Sequence, residues 1–160
     1  GNRTGRVFTG DQSSDFLFRC LYESGFANQP SSMHRGDGLK LYNSYLTTAL
    51  KCVPPLDKPT SGELKNCFYY FKKENEYLIG VNTILALGKI AFDSCLNFYK
   101  EDYAIRNKDF IFSHGCRYKL PDNKILVGSY HPSPRNVNTG RININKMVKL
   151  LKSVKKIINT

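Results

Sequence analysis

Two segments of the chain hold the residues whose types and spacing suit chemistry. The first, HPSPRN at 131–136, directly follows an apolar run at 125–130. Its two prolines stiffen the chain and would hold His131 at the end of a buried strand, where an imidazole can donate a hydrogen bond to negative charge on a leaving group. Ser133 could bind a phosphate, and Arg135 would project from the tip. An ordinary turn with a hydrogen-bonded histidine is the alternative.

The second segment is RTGRVFTGD at 3–11, near the start of the chain. Arg3 and Arg6, with glycines beside them, suit contact with phosphates, and Phe8 offers a flat face on which a base can stack. Asp11 stands where a helix is expected to begin. Its carboxylate could orient a water molecule and stabilise a cationic sugar, or it could simply cap the helix.

Five cysteines occur, at positions 20, 52, 67, 95 and 116, and an odd number argues against a disulfide framework. Cys20 and Cys95 fall on apolar helix faces and are expected in the core. Cys52 and Cys67, with fourteen residues between them, could supply half of a tetrahedral thiolate site. Two ordinary structural cysteines are the more common explanation of such a pair.

The elements that must position these residues alternate between helix and strand. Helices are expected at 11–25, 60–76, 89–98 and over a last segment from Met147 to Ile158, and strands at 45–51, within 77–87, and at 110–113, 117–120 and 125–130. This alternation predicts an α/β fold with a mostly parallel sheet covered on both sides, in which sites form at the carboxyl ends of strands.

Composition limits the class of protein. The chain has 160 residues, with 24 Lys or Arg against 13 Asp or Glu and a net charge of +11. Its 41% hydrophobic content excludes general disorder. No apolar run approaches the roughly 20 residues of a membrane helix. The charge favours a polyanionic partner, although a lysine-rich solvated surface, as in heat-adapted proteins, explains it equally well. The lysines of the last helix are interpreted as such a solvated face.

The chain begins in a dense polar turn with no strand or helix before it. We therefore expect a single domain over residues 1–160 that lacks an N-terminal segment.

Four motifs together resemble the uracil-DNA glycosylase superfamily, most closely its iron–sulfur family 5 enzymes of thermophilic prokaryotes. They are GNRTGRVFTGD at 1–11, TALKCVPP at 48–55 with the later Cys67, ILALGKIAFD at 84–93 and HPSPRNVNTGR at 131–141. The resemblance covers essentially the whole chain. It implies a three-layer α/β/α fold around a four-stranded, mainly parallel sheet. The implied activity is monofunctional: a damaged base is flipped out of DNA and its N-glycosidic bond is hydrolysed in base-excision repair.

The resemblance also implies roles for single residues. Phe8 would stack on the flipped base, His131 would face the O2 oxygen of that base, and Asp11 would be the water-activating carboxylate. The Pro134-Arg135-Asn136 tip would fill the gap left by the flipped nucleotide. The expected DNA contacts are Arg3, Arg6, Ser133, Pro134, Arg135, Asn136 and Arg141.

Cys52 and Cys67 match two of the four ligands of a 4Fe-4S cluster in these enzymes, and the other two would come from a CxxC upstream of this chain. Zinc, or no metal, is the alternative. Thr48 stands where close relatives often carry an Asn that reads the base edge. A hydroxyl is shorter than an amide and rotates, so selection of uracil could extend to other deaminated bases, hypoxanthine included.

The expected partner is therefore double-stranded DNA that contains uracil or another deaminated base, and no membrane. The expected setting is the cytoplasm, in association with the nucleoid, and the expected state is a monomer. A non-catalytic protein that binds damaged DNA with the same fold is the competing hypothesis.

Overall fold

The structure is a computed structural model that describes residues 4–51, 54 and 59–159. These residues form a mixed α/β arrangement. In chain order the elements are α1 (Gln12–Glu23), α2 (Ser61–Tyr77), β1 (Thr83–Leu87), α3 (Lys89–Lys100), β2 (Arg117–Lys119), β3 (Ile125–Ser129), α4 (Pro134–Asn138) and α5 (Ile144–Ile158). None of the described helices is long and apolar enough to cross a membrane.

The chain divides into two compact units, which are described separately. Unit 1 comprises Gly1–Thr47 and Ser129–Thr160, and unit 2 comprises Thr48–Gly128. The sheet belongs to unit 2, except for the last residue of β3, Ser129, which belongs to unit 1.

Reciprocal side-chain caps fix the start of the first two helices. At α1, Asp11 Oδ1 accepts a hydrogen bond from the Ser14 amide at 2.7 Å, and the Asp11 amide donates to Ser14 Oγ at 3.2 Å. At α2, the Glu63 amide donates to Thr60 Oγ1 at 3.2 Å, and the Thr60 amide donates to Glu63 Oε2 at 2.8 Å. Each cap satisfies backbone donors that have no partner inside the helix. Both helix starts are as the sequence predicts.

The core of unit 1 lies where α1 packs against α5. Both helices are amphipathic, and each turns one apolar face inward. The buried apolar side chains are Leu17, Phe18, Cys20 and Leu21 on α1 and Met147, Leu150, Leu151 and Val154 on α5. Near the end of α5, Lys155 Nζ donates to the carbonyl of Gly25 at 3.0 Å, which ties the two helices together.

Unit 2 is built on a three-stranded sheet in the order β1-β3-β2. β2 and β3 are antiparallel, with Tyr118 opposite Leu126. The amide of Ile125 donates to the carbonyl of Asn82 at 2.9 Å, so β1 and β3 begin side by side. α3 packs on β1, and Phe92 is fully buried in the resulting core.

Two expected strands are absent, and the predictions of strands at 45–51 and 110–113 were wrong for a physical reason. The Tyr118 hydroxyl bonds both the amide of Ile111, at 2.8 Å, and its carbonyl, at 2.9 Å. A side chain thus takes the backbone groups that a neighbouring strand would need. In the other segment, the Lys51 amide donates to Cys67 Sγ at 3.4 Å instead of joining a ladder.

The sequence analysis also missed α4, treating its residues as a stiff loop. Ser133 caps this helix, since its Oγ accepts from the Asn136 amide at 3.4 Å, and Pro134 occupies its first turn. Proline is favoured at that position because its missing N–H needs no partner there and its φ already suits the helix. The Ser-Pro pair was therefore a usable signal.

The strand that leads toward His131 passes very close to a neighbouring turn. A Cβ added at Gly128 in β3 would lie 2.5 Å from Cys116 Sγ and 2.9 Å from the carbonyl oxygen of Ser113. The turn cannot easily retreat, because the Cys116 amide donates to Ser113 O at 3.3 Å and the Gly115 amide donates to Gly128 O at 2.8 Å. Only glycine fits at this position.

We therefore expect Gly128→Ala to lower the free energy of unfolding by about 1–3 kcal/mol, the usual cost of overpacking. Gly80→Ala is the matched control, because an added Cβ there meets nothing within 4 Å, and it should change stability by about 0.5 kcal/mol or less. Urea denaturation of the two variants tests this. Equal destabilisation by both would contradict the close approach.

Candidate active site

Asp11 and His131 lie within electrostatic range of each other in unit 1. Asp11 stands at the amino end of α1, and His131 follows the end of β3 by two residues. The backbone at His131 is fixed, because Asn136 Nδ2 donates to its carbonyl at 2.8 Å. Partial loss of water lowers the pKa of His131, and the negative charge of Asp11 acts in the opposite direction. The loss of water thus favours the neutral ring, which donates through one N–H.

Asp11 combines a structural and a chemical capability. One carboxylate oxygen, Oδ1, caps α1 through the Ser14 amide at 2.7 Å. The residue is exposed, and among the described residues no donor bonds Oδ2. One oxygen thus fixes the orientation of the carboxylate, and the other can accept a hydrogen bond from water. The two interpretations of Asp11 are therefore compatible.

The opening loop holds Phe8 in an unusual conformation. Phe8 has φ of 55°, in the left-handed region, which costs a non-glycine residue about 1–3 kcal/mol. Gly5 and Gly10, on either side, also have positive φ values of 71° and 80°. The buried Thr9 donates from Oγ1 to the carbonyl of Arg6 at 2.8 Å. The loop is thus closed on itself, with the half-buried ring of Phe8 presented from it.

Arg6 anchors this loop to the segment at 32–39. Its guanidinium donates to Asp37 Oδ1 at 2.7 Å, to Ser32 Oγ at 3.1 Å and to the carbonyl of Arg35 at 3.0 Å. The side chain of Asp37 is only 7% exposed. Sequence analysis proposed Arg6 as a phosphate contact and missed Asp37 entirely. The structure gives Arg6 a positioning role, and its contact with DNA stays a prediction.

The Asp37 carboxylate is saturated with donors. Besides Arg6, it accepts from the amides of Met33 at 2.6 Å, Leu39 at 3.0 Å and His34 at 3.3 Å. Burial disfavours its charge, but these hydrogen bonds outweigh burial and hold the pKa of Asp37 well below its ordinary value. The anion is therefore stable at every pH at which the protein would act.

The segment at 131–141 leaves two arginines exposed. Arg135, in the first turn of α4, and Arg141, after that helix, both face solvent. Ser133 and Asn136 are occupied in holding the helix and the His131 carbonyl. The predicted DNA contacts in this segment thus divide into exposed cations and residues that position the backbone.

A cavity of about 290 Å³ adjoins the opening loop in unit 1. Its walls are largely apolar, and they include Val7, Phe18 and Ser44 but not Asp11 or His131. Ser44 Oγ is buried there without a hydrogen-bond partner among the described residues. The cavity is thus separate from the Asp11–His131 pair.

The remaining candidates belong to unit 2 or lie outside the described residues. Thr48 is half-buried and in no strand, and Cys67 is buried on α2. Cys52 and Arg3 fall outside the described residues. Within the described ranges no three His, Cys, Asp or Glu side chains cluster as a metal site.

The core cysteines are as predicted. Cys20 is 0% and Cys95 4% exposed. Burial raises the pKa of each thiol to about 12.

A comparison of the sequence with known proteins shows the family to which the chain belongs. The family model described as the uracil DNA glycosylase superfamily matches residues 1–155. The chain belongs to this superfamily. The membership that the four motifs predict is therefore confirmed.

Curated relatives of the chain carry the name type-5 uracil-DNA glycosylase. The chain is 40% identical over 156 residues to the protein of Thermus thermophilus, covering 98% of this chain and 69% of that one. It is 37% identical over 153 residues to the protein of Pyrobaculum aerophilum, covering 95% and 64%. It is 36% identical over 160 residues to the protein of Mycobacterium leprae, covering 98% and 67%. The chain thus spans about two thirds of the length of these relatives.

The electrostatic link between Asp11 and His131 can be measured directly. The carboxylate favours the imidazolium, so Asp11→Asn should lower the pKa of His131 further below 6.5. Asp15→Asn is the matched control, because it removes an exposed carboxylate from the first turn of the same helix. An NMR titration of the His131 ring follows both variants. A rise of the pKa in Asp11→Asn, or equal shifts in both variants, would contradict the arrangement.

Proposed function

We propose that the protein is a monofunctional uracil-DNA glycosylase, which hydrolyses the N-glycosidic bond of uracil in duplex DNA during base-excision repair. Superfamily membership and the names of the relatives support the proposal. The observation that carries it is that the His131 imidazole and the Asp11 carboxylate lie within electrostatic range of each other in unit 1, and that the carboxylate has one oxygen available for water.

The pair suits the charges that this reaction creates. Cleavage of the bond leaves negative charge on the departing base and positive charge on the sugar. A neutral His131 can donate its N–H to the base oxygen, and one well-placed donor of this kind is typically worth about 3–4 kcal/mol. Asp11 can orient the attacking water and stabilise the cationic sugar, because its carboxylate is fixed by the helix cap.

Phe8 and Thr48 are the residues that we propose for base recognition. Phe8 provides a ring on which a flipped base can stack. Extruding a base costs a few kcal/mol and least at a mispair such as uracil opposite guanine, which assists selection. Thr48 replaces an amide by a hydroxyl at the predicted base edge, so we include hypoxanthine and other deaminated bases as substrates.

DNA contact would come from the exposed arginines of the 131–141 segment. Arg135 stands in the first turn of α4, next to Pro134, and would enter the gap left by the flipped nucleotide. Arg141, with Arg3 near the start of the chain, would contact phosphates. Arg6 would contribute by holding the loop that presents Phe8.

We also propose the family architecture for the whole enzyme. It comprises a three-layer α/β/α domain with a four-stranded, mainly parallel sheet and a segment upstream of Gly1. The adjacent starts of β1 and β3 support this architecture. The enzyme would act as a monomer, in the cytoplasm and on the nucleoid.

The residues present fit half of an iron–sulfur site. The Lys51 amide donates to Cys67 Sγ at 3.4 Å, which brings the residue before Cys52 against the Cys67 sulfur. Amide donors to sulfur stabilise thiolates, the form that binds iron. Cys52 and Cys67 would therefore hold one side of a 4Fe-4S cluster, with two upstream cysteines on the other. A cluster at this place would have a structural effect, since it would fasten α2 to the preceding chain.

Iron content tests the cluster. We expect the complete protein, purified without air, to hold about four irons per chain and Cys67→Ser to lose them. Cys116→Ser is the control, because that sulfur is half-buried and accepts a hydrogen bond from the nearby Ser113 amide at 3.5 Å. Stoichiometric zinc in place of iron, or iron retained in Cys67→Ser, would overturn the assignment.

The reaction is tested with Asp11→Asn, because an asparagine oxygen caps a helix as well as an aspartate does. On a duplex with one uracil, we expect the complete wild-type protein to release the base. The variant should be slower by about 10²–10⁴-fold in single turnover while it still binds DNA. Alkali cleavage of the abasic product gives the rate.

Asp15→Asn again serves as the control and should retain the wild-type rate. A wild-type rate in Asp11→Asn would remove the role of Asp11. Binding of uracil- and hypoxanthine-containing duplexes without release of either base would instead favour a non-catalytic protein that recognises damaged DNA.

A further inference from the structure

A second turn of unit 1 is fastened to the opening loop. In the turn at 34–37, the Asp37 amide donates to the carbonyl of His34 at 3.3 Å. Arg35 occupies the second position of this turn and is exposed. The structure thus places beside the loop an arginine that the sequence analysis did not single out.

Arg35 contacts the opening loop through its backbone and through the stem of its side chain. Its amide donates to the carbonyl of Thr4 at 3.1 Å, and its carbonyl accepts from the Arg6 guanidinium at 3.0 Å. The stem passes over Gly5, since a Cβ added there would lie 3.6 Å from Arg35 Cβ and 3.9 Å from Arg35 Cδ. The turn and the loop are therefore joined directly at Arg35.

The same turn is anchored from below by a buried anion. The Asp37 carboxylate accepts from the amides of Met33 and His34 before Arg35 and from that of Leu39 after it. Because a buried carboxylate persists only while donors compensate its charge, these bonds fix the course of the chain. The backbone of Arg35 thus keeps a fixed place beside the opening loop, a restraint that net charge alone would not provide.

The two arginines at this place have different roles. The Arg6 guanidinium is already used inside the protein, where it donates to Asp37, to Ser32 and to the carbonyl of Arg35. Arg35 is exposed and extends its side chain from the same surface. A guanidinium suits an anion of this shape as phosphate, because it can donate two parallel hydrogen bonds to it.

We propose that Arg35 binds a backbone phosphate of duplex DNA close to the flipped nucleotide. The proposal rests on the proposed function, in which the opening loop faces DNA and Phe8 stacks on the flipped base. Gly5, under the Arg35 stem, is three residues before Phe8, so the Cα atoms of these two residues lie within about 10 Å of each other. Successive nucleotides of one strand rise by about 3.4 Å. The contacted phosphate therefore lies within about four nucleotides of the flipped one.

Salt dependence of binding tests this contact. The probe is a duplex with one 2′-fluoro-deoxyuridine, because the fluorine disfavours a cationic sugar and so keeps the glycosidic bond intact. Binding of the complete protein is followed by fluorescence anisotropy over a range of salt. Losing one phosphate contact reduces the slope of log K against log salt by about 0.9, so R35Q should show this fall. R35K keeps the charge and should keep the slope.

A neutral phosphate then locates the contact. Methylphosphonate replaces one phosphate at a time, within about four nucleotides of the 2′-fluoro-deoxyuridine on both strands. At the contacted position the wild type and R35Q should bind equally tightly, because the charge that Arg35 binds is gone. At the other positions the wild type should bind more tightly than R35Q.

K108Q is the control, because it removes an exposed cation of unit 2, and it should keep the wild-type slope. R35Q should also keep the wild-type midpoint of urea denaturation, since the backbone bonds of Arg35 do not require its guanidinium. An unchanged slope in R35Q, an equal fall in K108Q, or a difference that no methylphosphonate removes would overturn the proposal.

Release of uracil from an ordinary duplex is measured separately. A wild-type protein that releases no uracil but binds the probe through Arg35 would remove the proposed function and keep this contact. An active enzyme whose R35Q variant binds the probe with the wild-type slope would remove the contact alone. A wild-type protein that does not bind the probe would overturn both.

Discussion

The buried carboxylate of Asp37 is the interaction on which the candidate site depends. An anion with so little exposure persists only if donors replace the lost water, and here three backbone amides and Arg6 do so. The amides fix the segment at 32–39, and Arg6 fixes the opening loop to it. The strained φ of Phe8 is tolerated because Arg6 holds the loop before Phe8 and the α1 cap at Asp11 holds the chain after it. The contacts that stabilise the loop are therefore the same contacts that present the aromatic ring.

Asp11, which follows the opening loop, also serves both the structure and the chemistry of the site. The amino end of α1 carries the positive end of the helix dipole, which favours a carboxylate there. A residue that serves the helix through Oδ1 is also oriented toward solvent through Oδ2, so the helix supplies rigidity to the reactive group. His131 follows the short strand β3 by two residues, and the side-chain amide of Asn136 donates to its carbonyl. These two features position the histidine.

Local signals in the sequence were reliable, and signals that depend on distant partners were not. The caps at Asp11 and Thr60 involve residues three positions apart, and the sequence predicted helices that begin at both positions. The absent strand at 110–113 depends on the hydroxyl of Tyr118, which takes its backbone bonds. The partnership of Arg6 with Asp37 spans 31 positions, and nothing in the spacing indicates it. Composition revealed the positive charge, but not which of the cations form ion pairs.

Two buried thiols, Cys20 in unit 1 and Cys95 in unit 2, affect how the protein reacts with thiol reagents. At neutral pH, Cys20 and Cys95 are protonated, because burial raises their pKa values to about 12, and a protonated thiol is a poor nucleophile. Alkylating reagents and mild oxidants will therefore not react with these two thiols in the native state. Covalent labelling of the folded protein therefore reports on Cys52, Cys67 and Cys116, and the number of thiols that react shows whether Cys52 and Cys67 are ligated.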